Sequence, residues 1–418
     1  MVATPEVRRM AVSVLALCTG MNILSRGVGE SFAVFLLPIA TEFGADRAAL
    51  VGIYSIAVLA VGLMSPVAGV IVDRLGPRRC YLAGLLLLGG VYWLAGRISA
   101  LWQLYLLLGV VAPMGASLTG MVPASTLVSR WFGGRLPSAM AALSAALGTG
   151  MLAFAPFAQW LIGLVGWRQA YQVIGGGLLV VLVPLVLLPW SRIAAGSPEV
   201  VEALRRRSAG QAAWTVPLAL RTPIFWALAG MMFSTAVSTY AVTPQLVACL
   251  VDAGWSPLSA AWVFGLTGML SIVGMMGAAT LAERIGERLT ATVSYGLTLT
   301  GLALLAGALH GYSPWLVGGF VLTFGCAQGS RGPLAAVLAA RGFPGAMGRV
   351  YGMVLTAAGT GSALGSWAGG ALFDLTGGYH AGLALSALGA LGGLALFWTV
   401  PALRGDGRAA SQSSPNRS

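Results

Sequence analysis

Gly69-Val70-Ile71-Val72-Asp73-Arg74-Leu75-Gly76-Pro77-Arg78-Arg79 places an acid and three arginines around a glycine-proline turn, directly after a long apolar run. About 210 residues later Glu283-Arg284-Ile285-Gly286 repeats the pattern, again after an apolar run. Two further pairs keep nearly the same offset. Arg130-Trp131-Phe132-Gly133-Gly134 is answered by Arg341-Gly342-Phe343-Pro344-Gly345. Ala146-Leu147-Gly148-Thr149-Gly150 is answered by Ala357-Ala358-Gly359-Thr360-Gly361. Three matched pairs at one offset read as a duplicated unit. Parallel repeats of this kind are an architecture of membrane transporters, with the binding site near the bilayer midplane between the halves.

Outward from these loops the chain is almost entirely apolar. Of its 418 residues 57% are hydrophobic and only 9% charged, against roughly 25% charged in soluble domains. That excludes a soluble enzyme, a coiled coil and a disordered scaffold. A bundle of membrane helices fits, each needing about 20 mostly apolar residues. The 59 glycines fit too, because small residues let membrane helices approach closely. Polar punctuation delimits twelve spans, at 10–42, 48–72, 80–96, 101–129, 136–165, 169–190, 222–250, 257–282, 289–309, 313–340, 346–374 and 379–402. The expected organisation is an N-terminal six-helix half (1–190), a cytoplasmic central loop (191–221), a C-terminal six-helix half (222–403) and a disordered tail (404–418). The fold class is all-α, two pseudo-symmetric bundles. The first apolar segment is too long for a signal peptide's apolar region.

All 24 basic residues are arginine, and the formal net charge is +12. They punctuate helices instead of forming a stripe, which argues against nucleic acid. With the N-terminus inside, one side collects most of them, while Arg47, Arg97 and Arg168 remain on the other. This satisfies the positive-inside rule with both termini cytoplasmic. Cys18, Cys80, Cys249 and Cys326 are scattered in apolar runs, and no metal-ligand spacing is present. His310 and His380 fall near expected outer helix ends and read as surface histidines. Without lysine there is no G-x-x-x-x-G-K-[ST] phosphate loop. No cofactor and no metal are expected.

The stretch Gly69 to Arg79 resembles the loop motif G-x-x-x-D-R-x-G-R-[KR] of the major facilitator superfamily, with a weaker copy at Glu283 to Arg288. The resemblance implies twelve helices and alternating access. It makes Gly69, Asp73, Arg74, Gly76, Arg78, Glu283 and Arg284 a conformational latch at the cytoplasmic face. There an acid beside arginines can pair and cap a neighbouring helix. Ser31-Phe32-Ala33-Val34-Phe35, Glu42-Phe43-Gly44, Ser129-Arg130-Trp131-Phe132 and Gly166-Trp167-Arg168 are similar to the monocarboxylate and oxalate/formate branch. The branch's arginine of the eighth helix appears here as Met275, and the superfamily's fourth-helix arginine as Tyr105. The lysine that the oxalate exchanger carries in the eleventh helix has no counterpart. The usual cationic ligands are therefore not carried over.

Three charged residues fall in the interior of the apolar spans, away from their ends. Arg26 and Glu30 lie one turn apart in the first span, and Arg331 lies near mid-depth in the tenth. An arginine at a helix centre costs roughly 2.5–3.5 kcal/mol on insertion scales, so each needs a partner or a wet cavity. In the resembling fold the first, fourth, seventh and tenth helices line the central cavity. Arg26 and Arg331 would enter it from opposite halves and grip a carboxylate. The plainer readings are an Arg26–Glu30 i,i+4 pair and, for Arg331, a backbone-carbonyl contact near a helix break. Asn22, Ser117, Thr119, Ser234, Ser238, Tyr240 and Gln328 are candidate neutral ligands, though Ser and Thr often bond their own helix carbonyls. Tyr240 stands at the repeat position of Glu30.

The expected function is a secondary transporter of the inner or plasma membrane moving a small organic anion, a monocarboxylate. Coupling is by proton symport, with Glu30 taking the proton when substrate occupies Arg26, or by anion exchange. Efflux of amphiphilic compounds is the alternative, and a transporter-like sensor a more distant one. The expected partners are the substrate, protons and the lipid bilayer, with no nucleic acid, and the chain is expected to be a monomer.

Overall fold

The computed structural model describes residues 5–133, 136–202, 218, 220–343 and 347–400. The expected tail at 404–418 and most of the charged part of the central loop, Arg205 to Arg207 included, lie outside these residues. Among the described residues every regular element is helical. Backbone contacts divide the chain into two compact units, one of Met1–Ala45 with Ile56–Gln211, the other of Asp46–Ser55 with Ala212–Ser418. The boundary thus differs from a simple cut at the central loop, since ten residues from the start of the second span group with the C-terminal unit.

In the first unit α1 (Pro5–Glu30) and α2 (Phe32–Phe43) form one apolar span broken at Ser31. The Ser31 hydroxyl donates to the Val28 carbonyl at 2.7 Å, meeting part of the interrupted backbone pattern. α3 (Arg47–Ala95) holds the second and third spans. They are separated at Gly76, whose φ of 78° and ψ of 161° leave the helix. α4 (Leu101–Leu104), a π-helix (Tyr105–Val111), α5 (Ala112–Thr119) and α6 (Met121–Trp131) make the fourth span, broken at Gly120. α7 (Leu136–Leu187) carries the fifth and sixth spans with a break at Gly166, and α8 (Trp190–Ala195) follows.

The second unit repeats this plan. α9 (Pro223–Tyr240), a 3-10 turn (Thr243–Gln245) and α10 (Leu246–Asp252) form a broken helix like the first span. α11 (Pro257–Ile285) and α12 (Glu287–Ala308) meet at Gly286, with φ 82° and ψ 162°, nearly the angles of Gly76 at the matching position. A side chain at that φ would be strained, so glycine is required at both turns. α13 (Pro314–Gly342), α14 (Met347–Thr376) and α15 (His380–Thr399) complete the unit.

Eight helical stretches among the described residues are long and apolar enough to cross a membrane, and two of them, Arg47–Ala95 and Ser138–Leu187, have about double length. The chain is therefore an integral multi-pass membrane protein. The matched glycine strings are packing surfaces. A Cβ on Gly150 of α7 would meet the Gly27 backbone of α1 at 2.9 Å. Gly361 of α14 packs against Phe233 of α9 in the same way. α13 is pressed onto α11 more closely still. Gly274 abuts the Cys326 carbonyl and Gly329 abuts the Ser271 carbonyl, leaving no room for a methyl group at either glycine. This approach sets the face of α13 that carries Arg331.

Candidate functional site: a buried arginine and its helix partners

Arg331 is 2% exposed, so its position is decided by what it touches inside the second unit. With one face of α13 flush against α11, the guanidinium reaches α12. Nε donates to Ser294 Oγ at 3.1 Å, and Nη2 donates to the Ser294 carbonyl at 3.2 Å and to Thr298 Oγ1. Ser294 and Thr298 stand four residues apart, one turn of α12, and so present both oxygens to one side. Between them Tyr295 lays its ring 4.2 Å from the Arg331 guanidinium carbon. The Tyr295 hydroxyl shares a 2.8 Å hydrogen bond with Thr235 Oγ1 of α9, and Gly393 of α15 leaves space for the phenol. Ser330 completes the network, 2.6 Å from Ser294 Oγ and donating to the Ala327 carbonyl at 2.7 Å.

The chemistry of this arrangement is specific. A permanent cation sits in an apolar bundle, and the side chains it bonds are neutral. Hydroxyls, a carbonyl and a π-face solvate a guanidinium but do not cancel its charge. A carboxylate would. The contact with a backbone carbonyl expected for Arg331 does exist, but it is made to α12, across the helix interface.

The other expected site residues are distributed as follows. Arg26 of α1 lies in the first unit and is exposed, while Glu30, one turn on, is 8% exposed. Tyr92, whose hydroxyl donates to the Val28 carbonyl at 3.3 Å, is within electrostatic reach of Glu30. Asn22 is buried and donates to the Cys18 carbonyl at 3.0 Å. Thr119 bonds its own helix at the Gly115 carbonyl, whereas the buried Ser117 Oγ has no hydrogen-bond partner. In the second unit Ser238 faces α15, where Ser386 donates to its carbonyl at 2.5 Å. Tyr240 stacks on Tyr54 with ring centroids 6.2 Å apart. Gln328, three residues before Arg331 on α13, has a buried Oε1 without a hydrogen-bond partner. Of these candidates Arg331, Gln328, Tyr240 and Ser238 belong to the second unit, and Arg26, Glu30, Asn22, Ser117 and Thr119 to the first. The loop residues Asp73, Arg74, Arg78, Glu283 and Arg284 are exposed beside the breaks at Gly76 and Gly286, with Gly69 a little over a turn before Asp73.

A further polar cluster closes the broken helix of each unit. Glu42, at the end of α2, accepts hydrogen bonds from Trp167 Nε1 at 2.5 Å and from Arg168 Nε and Nη2 at 2.9 and 2.6 Å. At the matching place in the second unit, Asp252 ends α10. It accepts from Tyr379 Oη at 2.6 Å and from Arg47 Nη2 at 3.0 Å. Asp374 accepts from the Arg47 and Ala48 backbone N–H groups at 2.9 and 2.7 Å, capping the first turn of α3. The spacing of Glu42 and Asp252, both just before a positive-φ glycine (Gly44 and Gly254), was the sequence signal for the pair.

The model of the Major Facilitator Superfamily matches residues 15–366. The chain belongs to that superfamily. It is a membrane transporter, not an enzyme, as read from the loop motif and the duplication. Among relatives, "Monocarboxylate transporter 13" of Rattus norvegicus is 28% identical over 384 residues, covering 90% of this chain and 85% of that protein. The Bos taurus protein of the same name is 29% identical over 381 residues with the same coverage. "Uncharacterized MFS-type transporter YcxA" of Bacillus subtilis (strain 168) is 25% identical over 354 residues, 84% of this chain and 85% of that one. The crystal structure of a bacterial homolog to the human lysosomal transporter Spinster, inward-facing and occupied, has a TM-score of 0.65 at 15% identity, covering 96% of this chain and 97% of that chain. That likeness concerns the superfamily fold alone.

Proposed function

We propose that the chain carries a small organic anion, a monocarboxylate, across the inner or plasma membrane by alternating access. The observation that carries this reading is the Arg331 guanidinium, buried and solvated by the neutral groups of Ser294, Thr298 and Tyr295. A substrate carboxylate supplies the missing negative charge through charge-assisted bonds, which are the strong ones. The names of the mammalian relatives point to the same substrate class. Arg26 and the neutral groups of Tyr240, Asn22, Gln328, Ser117, Thr119 and Ser238 are the further substrate contacts in this reading. Gln328 and Ser117 are favoured among them, because each has a buried polar atom with an unused hydrogen-bond capacity.

Glu30 is the proton-coupling group. When substrate engages Arg26, charge balance in the low-dielectric bundle is restored by a proton on Glu30, and anion and proton move together. If Glu30 keeps its charge throughout, one anion exchanges for another. The loops at Asp73–Arg78 and Glu283–Arg284 act as the cytoplasmic latch, and both termini are cytoplasmic. Uptake of radiolabelled lactate, pyruvate or oxalate by proteoliposomes, competed by unlabelled carboxylates, is the test. Transport of lipophilic cations or neutral compounds with no carboxylate competition would replace this reading with amphiphile efflux.

A further inference from the structure

The chain has two histidines, and the fold brings them together. His310 follows α12 and His380 opens α15, seventy positions apart in sequence, yet their ring centroids are 5.9 Å apart and both residues are exposed. The internal repeat shows why His380 is free to take this place. Tyr379-His380 corresponds to Trp167-Arg168 of the first unit, since Trp167 and Tyr379 each donate to the acid at the end of the broken helix. Arg168 binds that acid, Glu42, through two guanidinium nitrogens. In the second unit the cation bound to Asp252 is Arg47. The acid is thus served by Arg47 and Tyr379, and the ring at the position of Arg168 lies instead beside His310.

We propose that His310 and His380 form a site for a divalent d-block cation such as Zn²⁺, Ni²⁺ or Cu²⁺. Neutral imidazole is the usual ligand of these ions, with a metal–nitrogen distance of about 2.0–2.1 Å. Adding about 1.1 Å from nitrogen to ring centre puts each centroid about 3.2 Å from the metal, so a tetrahedral angle separates the centroids by about 5.2 Å. The 5.9 Å separation needs a closure of about 0.7 Å, which rotation about the broad χ2 of two exposed histidines supplies. Among the described residues no group of three or more His, Cys, Asp or Glu side chains is arranged to hold a metal. Water therefore completes the coordination sphere, and the site is open and of modest affinity, in the micromolar range. Occupied, it links the end of α12 to the start of α15 within the second unit.

The experiment is isothermal titration of the full-length protein, purified without a histidine tag, with NiCl₂ and ZnCl₂. One equivalent is expected to bind. His310→Gln and His380→Gln are each expected to weaken binding at least about tenfold, roughly 1.4 kcal/mol, with the melting temperature of the metal-free protein unchanged. His380→Arg, which installs the residue of the first unit, should abolish binding and keep the fold. Binding retained by the His310→Gln/His380→Gln double variant would show that the metal sits elsewhere. No binding by the natural sequence up to about 1 mM metal would equally overturn the site.

Discussion

Replacing Arg331 by Met separates the binding role of the guanidinium from any role in holding the bundle together. Methionine keeps the length and apolar stem of the side chain and removes the charge. Three hydrogen bonds disappear, worth on average about 0.6 kcal/mol each between membrane helices. The stacking on Tyr295 is lost as well, about 0.5–2 kcal/mol. Against this, a charge that costs roughly 2.5–3.5 kcal/mol to place at helix centre is removed. The oxygens left behind are not orphaned. Ser294 Oγ keeps Ser330 at 2.6 Å, and Thr298 Oγ1 keeps the Ser294 carbonyl at 3.2 Å. The sum lies within about 2 kcal/mol of zero, so R331M should fold and melt close to the natural protein. Substrate binding should not survive. A carboxylate held by two charge-assisted bonds loses about 3–6 kcal/mol, which is about 10²- to 10⁴-fold in affinity. Thermal melting in detergent reports the first quantity and equilibrium binding of radiolabelled lactate or pyruvate the second. Unchanged affinity with a normal melt would refute the role of Arg331 as a ligand. A variant that fails to fold would refute the energetic reasoning.

Other outcomes follow from the same geometry. Gly329→Ala and Gly274→Ala each drive a methyl into a carbonyl of the facing helix; a cost of at least about 1–3 kcal/mol is expected in detergent melts, whereas Gly277→Ala, with open space around it, should be neutral. Asp374→Ala removes the two bonds that cap the first turn of α3. A loss of about 0.5–2 kcal/mol is expected, and Asp374→Asn, which keeps one acceptor, should lose less. Glu30→Gln in proteoliposomes should uncouple substrate uptake from proton movement; substrate-linked acidification that persists at the natural ratio would exclude Glu30 as the coupling group.

Much of this molecule is legible in its sequence because membrane insertion forces simple patterns. Every span must be apolar, so the polar turns at Asp73–Arg79 and Glu283–Arg288 stood out, and both proved to pivot on glycines with matching backbone angles. One glycine of each matched string, Gly150 and Gly361, stands where two helices touch, which suits the small residues of an apolar span. What was not legible was the direction of side chains. The position of Arg331 along α13 is given by counting residues, but its contact with α12 depends on how tightly α13 seats on α11, a property of the Gly274–Cys326 and Gly329–Ser271 approaches. Ser294, Tyr295 and Thr298 were ordinary-looking residues of an apolar span until that seating was known. The Asp252–Arg47–Asp374 cluster joins segments far apart in the chain, and no local pattern announces such pairings. Its one trace was the repeat, where Asp252 mirrors Glu42 and His380 mirrors Arg168.

The central claim is that negative charge on the cargo is what the buried cation recognises. It is tested most directly by equilibrium binding to the purified natural protein of a carboxylate and its uncharged amide, lactate against lactamide, matched in size and shape. Saturable binding of lactate with lactamide weaker by at least about a hundredfold, close to 2.7 kcal/mol, is predicted. Equal affinity for the two, or affinity for neither alongside tight binding of lipophilic compounds, would contradict it.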